Sequence, residues 1–308
     1  MRLVIALGGN ALLHRHEPPE AATQVARLAL AAPALARLAV QHQVVFVHGN
    51  GPQVGLLARE STDDATLTAP YPLAALDAET QGLIGSLLTQ ALHNAGLAGP
   101  IVTLVTHTVI DADDPAMGEP TKFIGAVYDH HRAHRLAADH GWDIARDGDG
   151  WRRVVFSPLP QRIVELHAGA TLLDTGATVI MGGGGGIPLT DHDGYTPVEA
   201  VIDKDHTAAL LARALGAEQL VILTDVPGAL TDYGTPDERV IGDTTPGLLR
   251  ALPFPAGSMG PKVDAACTFV ENTGKPAAIG ALEHAEEVVD GIVGTQITPG
   301  PASRAGRL

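Results

Sequence analysis

Aromatic residues, cysteine and long apolar stretches are scarce in this chain, and each shortage excludes something. Phe, Trp and Tyr make up only 4% of the 308 residues, so a buried core must consist mainly of Ala, Val, Leu and Ile. Cys267 is the only cysteine, which excludes an internal disulfide and favours a reducing, cytoplasmic location. One apolar stretch, residues 28–47, contains Pro33, Arg37 and His42, so we do not expect it to span a membrane.

Basic residues are also scarce: there are 20 Lys and Arg against 35 Asp and Glu, so the formal net charge is −15. Such an acidic chain is a poor match for nucleic acid or for an anionic membrane. A phosphate-bearing substrate would therefore need a local group of cations. Of the 20 basic residues, 16 are Arg and four are Lys, namely Lys122, Lys204, Lys262 and Lys275. Where so Arg-rich a chain keeps Lys, a compact, flexible ammonium is favoured, and we expect a function for the first three.

Glycine, by contrast, is abundant and follows three apolar segments. Residues 3–7 run into Gly8-Gly9-Asn10, residues 44–47 run into His48-Gly-Asn-Gly51, and residues 179–181 run into the glycines at 182–186. A strand that ends in glycines presents backbone N–H groups with no Cβ in the way, which is suited to binding anions. Three such corners predict a site for several negatively charged groups.

Three common nucleotide and metal motifs do not account for these features. Residues 49–55 match G-x-G-x-x-x-G, but no acidic strand end follows at the spacing that a dinucleotide site requires, and no P-loop motif occurs. His130, His131, His134 and His140 lie among charges of both signs, so we predict a solvated helix face rather than a metal site. Cys267 lies within a predicted helix and is expected to be part of the core.

The order of apolar segments predicts an α/β fold. We predict helices at 21–41, 53–60, 73–95, 161–174, 207–215, 246–252 and 263–272. We predict strands at 3–7, 43–47, 101–105, 179–181, 198–202, 220–223, 277–279 and 294–297, and a polar loop at 190–196. Alternating strands and helices predict a mostly parallel sheet covered on both faces, with the site at the carboxyl ends of the strands.

The segment at about 108–160 breaks this alternation. It contains acidic turns, the His-rich stretch and a predicted hairpin formed by residues 142–145 and 151–156. An insertion of this length is more consistent with a small protruding lobe than with a loop. We therefore expect a single domain over residues 1–308 that carries this lobe.

Two lysines lie in settings that suit an anion. Asp203-Lys204-Asp205 follows an apolar segment and precedes a helix, where a salt-bridged site is favoured over the alternative that Asp205 is a surface helix cap. Lys262 lies at the start of a helix, where a cation opposes the helix dipole and an anionic ligand would offset that cost.

Taken together, the sequence resembles the carbamate kinases of the amino-acid kinase family over nearly its whole length. The segments that carry the resemblance are Val4-Ile-Ala-Leu-Gly-Gly-Asn-Ala-Leu12, His48-Gly-Asn-Gly-Pro-Gln-Val-Gly55, Gln81-Gly-Leu-Ile-Gly85, Pro120-Thr-Lys122, Trp151-Arg-Arg-Val-Val155, residues 183–188, Glu199-Ala-Val-Ile-Asp-Lys-Asp205 and Gly257-Ser-Met-Gly-Pro-Lys-Val263. Their order and combination are specific. The resemblance implies a three-layer αβα sandwich with a mostly parallel central sheet, a mobile lobe and a homodimer.

The resemblance also implies a reaction and a set of site residues. It implies reversible phosphoryl transfer between ATP and carbamate, giving ADP and carbamoyl phosphate, usually run towards ATP in arginine breakdown, with Mg²⁺ held mainly by the ATP phosphates. The expected catalytic residues are Lys204, Lys262, Asp205 and Lys122. The expected phosphoryl- and carbamate-binding residues are Gly8, Gly9, Asn10, Gly49, Asn50, Gly51 and Gln53. The expected nucleotide-binding residues are Asp203, Thr224, Asp225, Val226, Gly257, Ser258 and Met259.

Two alternatives stay open at this point. The family segment Pro-Thr-Lys-Pro-Ile-Gly-Pro has Phe123 and Ala126 here, which leaves room for a related small-acid kinase. A nucleotide-binding regulator without turnover is the second alternative, although the retained lysines and Asp205 argue against it.

Overall fold

The computed structural model describes residues 1–9, 17, 20–255 and 257–300. The helices in this part of the chain are α1 Ala21–Gln41, α2 Gly51–Asp63, α3 Leu73–Asn94, α4 His130–His140, α5 Leu166–Asp174, α6 Lys204–Ala214, α7 Pro246–Arg250, α8 Met259–Thr273 and α9 Ala285–Val289. The strands are β1 Arg2–Leu7, β2 Gln43–His48, β3 Ile101–Thr103, β4 His107–Ile110, β5 Lys122–Tyr128, β6 Asp143–Asp147, β7 Gly150–Val155, β8 Pro160–Ile163, β9 Thr178–Ile180, β10 Ile187–Asp191, β11 Tyr195–Pro197, β12 Gln219–Thr224, β13 Leu230–Thr231, β14 Arg239–Val240, β15 Asp243–Thr244, β16 Ala277–Ala281 and β17 Thr295–Ile297.

An eight-stranded sheet forms the centre of the molecule, in the order β15-β17-β16-β12-β1-β2-β9-β3. All of its neighbouring strands pair in parallel except β16 and β17, which are antiparallel. The strands are short runs of apolar residues buried on both faces, as expected when helices cover both sides of a parallel sheet.

Successive residues of β1 pack into two different cores. Leu3, Ile5 and Leu7 lie in the core beneath α1, α3 and α9, whereas Val4 and Ala6 lie in the core beneath α5, α6 and α8. This alternation is the period of two of a strand, and it gives helix, sheet and helix layers. The predicted α/β class with a mostly parallel central sheet is confirmed.

The sheet order brings the glycine-rich corners together. The neighbouring strands β12, β1, β2 and β9 are parallel, so their carboxyl ends lie at one edge. Gly8 follows β1, Gly49 follows β2 and Gly182 follows β9 at this edge. The site predicted from the sequence therefore has a single location in the fold.

Within the 108–160 segment, β5, β7 and β6 form a separate antiparallel sheet that packs against α4. The predicted hairpin is confirmed, since β6 and β7 pair from Asp143–Val154 to Asp147–Gly150. Ile124 and Val155 join Val54, Leu73 and Leu76 in a small apolar cluster, which attaches this sheet to α2 and α3. The two ends of the segment are not part of this small sheet. They form β4 and β8, which pair with each other in a four-stranded sheet with β10 and β11.

Several predicted elements are wrong in type or length. Residues 160–163 form strand β8 rather than the start of a helix, since Pro158 and Pro160 disfavour helix there and α5 begins only at Leu166. Residues 198–202 contain only an isolated bridge from Ala200 to Phe156. The predicted loop at 190–196 lies mostly in the β10–β11 hairpin, and the strand predicted at 101–105 ends at Thr103.

Two glycines of α3 give a matched test of its packing. A Cβ on Gly85 would lie 2.2 Å from Thr103 Cγ2, whereas a Cβ on Gly82 would meet nothing within 4 Å. We expect Gly85→Ala to lower the free energy of unfolding by about 1–3 kcal/mol through overpacking. Gly82→Ala should raise it by about 0.5–1 kcal/mol, because alanine is the better helix former. Urea denaturation of both variants measures this, and equal effects would contradict the close approach of α3 to β3.

Candidate active site

A carboxylate shared by two lysines lies at the centre of the site. Asp205, in the first turn of α6, accepts a hydrogen bond from Lys204 Nζ at Oδ1 and one of 3.0 Å from Lys262 Nζ at Oδ2. Lys204 is only 8% exposed and Asp205 only 1%. Two ammonium groups from helices α6 and α8 are thereby held side by side at the carboxyl edge of the sheet.

The local chain geometry follows from where α6 begins. We predicted its start at residue 207, but it begins at Lys204 because Asp203 is the N-cap and accepts a hydrogen bond of 3.0 Å from Asp205 N. The helix cap is thus Asp203 rather than Asp205. This start places Lys204 and Asp205 in the first turn.

Lys122 reaches the same helix from β5. Its Nζ donates to Asp203 Oδ2 at 2.9 Å, while Asp203 Oδ1 caps α6. One carboxylate thus connects the 108–160 segment to the helix that carries Lys204. Both oxygens of Asp203 accept hydrogen bonds from protein groups in this structure, and its expected contact with nucleotide stays a prediction.

The charges of the group are coupled to one another. Burial lowers the pKa of Lys204, and the carboxylate of Asp205 opposes that shift. Burial also acts to lower the pKa of Lys262, but the charge and hydrogen bond of Asp205 outweigh it, so this pKa is raised. Burial acts to raise the pKa of Asp203, but Lys122 and Lys204 hold it well below its usual range. Lys262 therefore remains an ammonium at neutral pH.

The first two glycine corners lie beside this group, but two of their amides are already used. Gly8 N donates to Leu223 O at 2.8 Å and Gly49 N donates to Leu7 O at 2.9 Å, which continue the sheet ladders. Our expectation that the Gly8 amide is free to bind a phosphoryl group is therefore wrong. Gly49 is required for space instead, because a Cβ there would lie 2.8 Å from Gly9 N and 3.4 Å from Lys204 Cδ. Asn10 lies outside the described residues.

The glycines at 182–186 pack against protein groups. Gly182, Gly184, Gly185 and Gly186 all have positive φ, and the oxygen of Gly185 accepts 2.8 Å hydrogen bonds from the hydroxyls of Thr108 and Thr207. Gly182 N donates to Thr106 Oγ1 at 2.9 Å. This third corner therefore supports the other two by close packing, where we had expected an anion cradle.

The corner at Gly49, Asn50 and Gly51 is fixed from the α3 side. Asn50 is the N-cap residue of α2, but its side chain makes no cap hydrogen bond. Its Nδ2 donates instead to Asp77 Oδ1 at 2.5 Å and to Thr80 Oγ1 at 2.9 Å, both on α3. Asn50 therefore does not cap the backbone donors in the first turn of α2, which begins at Gly51.

Gln53, a predicted substrate-binding residue, is turned towards α1. Its Nε2 donates to Gln24 Oε1 at 3.0 Å, and the side chain is buried. Its own Oε1 is buried and has no hydrogen-bond partner among the described residues. The contacts of Gln53 thus do not place it with the lysines.

The predicted nucleotide-binding residues fall into two groups. Thr224, at the end of β12, is buried and donates to Asp225 Oδ1 at 3.1 Å. The charge of Asp225 contributes to the raised pKa of Lys262. The remaining members of the prediction, all at least partly exposed, are Val226 after β12 and Gly257, Ser258 and Met259 at the start of α8.

Sequence reasoning missed Asp77 and Thr207. Burial raises the pKa of Asp77 to about 6, against the hydrogen bonds that it accepts from Gln81 and Asn50. Gln81 also holds the chain after β3, since its Nε2 donates to Thr106 O at 3.1 Å and its Oε1 accepts from Thr106 N at 2.8 Å. A carboxylate four residues before a glutamine in an otherwise apolar helix start is the only signal that marks Asp77.

The burial of side chains tests two further predictions, for Cys267 and for the histidines of α4. Cys267 is fully buried in α8, which confirms that it is part of the core. His130, His131 and His134 are exposed, which confirms the solvated face for these three, whereas His140 is partly buried. Among the described residues, no group of three or more His, Cys, Asp or Glu side chains could hold a metal ion, and no helix could span a membrane.

Known proteins resemble this chain in sequence and in fold over nearly its whole length. A model of the amino acid kinase family matches residues 1–281. A carbamate kinase of Rhizobium meliloti (strain 1021) is 48% identical over 323 residues, covering 99% of each chain. One from Escherichia coli (strain K12) is 48% identical over 296 residues, covering 96% of this chain and 99% of that one. A solved carbamate kinase from Giardia lamblia bound to AMP-PNP is 39% identical, with a TM-score of 0.89 over 97% of this chain and 98% of that one.

The chain therefore belongs to the amino acid kinase family. Within that family its similarity to carbamate kinases extends over nearly its whole length, and it is a phosphotransferase of this kind.

The buried imidazole at the end of β2 predicts a pH dependence of stability. Burial lowers the pKa of His48 to about 4. An unfolded chain takes up this proton near pH 6.5, so it binds more protons than the folded chain between about pH 6.5 and 4. Stability from this residue is therefore present above pH 6.5 and is lost as the pH falls.

We expect the free energy of unfolding to fall by about 1–2 kcal/mol from pH 7.5 to pH 5 through this residue alone. His48→Gln should show a correspondingly smaller difference between the two pH values. Urea denaturation at both pH values measures this. An identical pH difference in the variant would show that His48 is not held neutral.

Proposed function

We propose that this protein catalyses reversible phosphoryl transfer between ATP and carbamate, giving ADP and carbamoyl phosphate. The observation that carries the proposal is the carboxylate of Asp205 between the ammonium groups of Lys204 and Lys262. The carbamate kinase names of the relatives support the choice of acceptor.

Charge neutralisation is the main task of such a site. A phosphoryl group in transfer spreads negative charge over its oxygens, and catalysis depends on positioning and on donors that are already in place. Lys204 and Lys262 would bridge the ATP phosphates, and Asp205 would keep both ammonium groups oriented. The backbone at Gly9, and that at Gly49 and Gly51, would lie against the transferring group.

The acceptor needs no general base, because carbamate is already an anion. Its reacting oxygen must instead be aligned with the phosphoryl group, close to the Asn50 corner. Lys122 would move from Asp203 to the acceptor when the 108–160 lobe closes. Its 2.9 Å ion pair with Asp203, the residue before Lys204, supports this role.

Magnesium fits this site as a partner of the nucleotide. Mg²⁺ is usually bound through substrate phosphates, one or two carboxylates and water, and it would neutralise part of the phosphate charge. Asp225 is exposed, its charge acts on Lys262, and it would be near such phosphates. The residues present are thus compatible with metal held mainly by ATP.

The wider setting follows from the same resemblance. We propose a cytoplasmic homodimer that makes ATP during arginine breakdown. Sedimentation equilibrium tests the dimer, with a mass of twice 31.8 kDa expected. A monomer at micromolar concentration would contradict it.

The acceptor is tested directly by comparing small acids. We expect the wild-type protein to form ATP from ADP and carbamoyl phosphate, and in reverse to phosphorylate carbamate in preference to acetate, glutamate and aspartate. Coupled assays of both directions measure this. A preference for another acid would indicate a related small-acid kinase, and ATP binding without any exchange would indicate a regulator.

The two central lysines should be required for turnover. Losing one donor placed at a developing charge lowers the rate by roughly 10²–10³. We expect this loss in kcat for Lys204→Ala and for Lys262→Ala, with circular dichroism unchanged. Lys275→Ala is the matched control, since Lys275 is exposed beyond the end of α8, and it should keep the wild-type rate. Near-normal kcat in either site variant would discard the assignment.

A further inference from the structure

The side-chain amide of Asn50 is held in one orientation by α3. Both hydrogens of its Nδ2 are used, one by Asp77 Oδ1 at 2.5 Å and one by Thr80 Oγ1 at 2.9 Å. Thr80 is an acceptor for Asn50, because its hydroxyl points to the backbone oxygens of Leu76 and Asp77 at 2.9 and 3.0 Å. The amino end of the Asn50 amide therefore faces α3.

Asp77 is the group that makes this orientation unambiguous. An asparagine amide can ordinarily be turned either way, but an ionised carboxylate only accepts hydrogen bonds. Burial raises the pKa of Asp77 to about 6, and the hydrogen bonds from Gln81 and Asn50 and the charge of His107 on β4 favour its ionised form. Above about pH 6, Asp77 thus binds the Nδ2 end of Asn50.

The loop at 182–186 keeps the pair in place. A Cβ on Gly184 would lie 2.2 Å from Asn50 Nδ2 and 2.4 Å from Asp77 Oδ1. The backbone of this loop consequently packs directly over the Asn50–Asp77 hydrogen bond.

The orientation determines what Asn50 can offer a ligand. With both amino hydrogens committed to α3, only the carbonyl oxygen Oδ1 is left, and it is a hydrogen-bond acceptor. The neighbour of Asn50, Gly49, lies beside Lys204, since a Cβ there would be 3.4 Å from Lys204 Cδ. Asn50 lies between Gly49 and Gly51, and the position of the Gly49 side chain is taken up by Gly9 and Lys204.

We propose that Asp77 is a positioning residue that fixes the Asn50 amide so that Oδ1 accepts a hydrogen bond from the amino group of the acceptor substrate. This inference rests on the proposed function and concerns the choice between acceptors. Carbamoyl and acetyl groups have nearly the same size, but the first carries an NH₂ donor where the second has a methyl group. A site built to hydrogen-bond an N–H discriminates against an analogue that lacks this group. Such discrimination is far stronger than that of a pocket that distinguishes ligands by size alone.

The test compares ATP formation from carbamoyl phosphate and from acetyl phosphate at pH 8. In Asp77→Ala, the ratio of kcat/KM for carbamoyl phosphate to that for acetyl phosphate should fall by roughly 10–100-fold. The fall should come mainly from the KM for carbamoyl phosphate, while the KM for ADP and kcat/KM for acetyl phosphate stay within about twofold. Glu79→Ala removes an exposed carboxylate from the same helix and should keep the wild-type ratio.

Thr80→Val supplies a second variant if Asp77→Ala does not fold. It keeps the carboxylate but removes the other acceptor for Asn50 Nδ2, and the ratio should fall several-fold. An unchanged ratio in the folded variants, or an equal loss with both phosphoryl donors, would overturn the role of Asp77. A wild-type protein that forms no ATP from carbamoyl phosphate would instead show that the proposed function itself is wrong.

Discussion

The carboxylate of Asp205, which binds one buried and one partly buried ammonium group, is the interaction on which the rest of the site depends. Without it, Lys204 would be a cation in a largely dry environment, where burial disfavours the charged form. With it, two positive charges coexist next to each other in a chain whose formal net charge is −15. The overall field of the protein repels phosphate, so binding must come from these local charges. The same charges would make removal of the carboxylate costly, because two close cations would then be left uncompensated.

The sheet supplies the location of this group and the glycines supply the space. Parallel strands β12, β1, β2 and β9 end at one edge, and the helices that follow carry the charged residues to it. Because Gly49 has no side chain, the backbone of Gly9 and the stem of Lys204 can both lie close to it. The loop at 182–186 braces this arrangement by accepting hydrogen bonds from Thr108 and Thr207. Only glycine combines this packing with the positive φ values found there.

Residue type and strand position were enough to predict the main elements and to single out two lysines. The long helices α1 and α3 and the parallel sheet follow from apolar periodicity, and Lys204 and Lys262 stand out as rare lysines, one after a strand and one at a helix start. The grouping of both lysines with Asp205 was implied by the family resemblance. What could not be predicted depends on contacts between distant segments. The Gly8 amide is taken by a strand more than 200 residues away, and Asp77 becomes important only because α3 passes beside Asn50. Short strands such as β8 also lack enough residues to show a clear period.

A crystal structure with the ATP analogue AMP-PNP tests the central claim most directly. We expect Lys204 Nζ and Lys262 Nζ each to lie within hydrogen-bond distance of phosphate oxygens while both remain bonded to Asp205. Phosphates bound away from this pair, or a pair separated by the nucleotide with Asp205 turned aside, would contradict it.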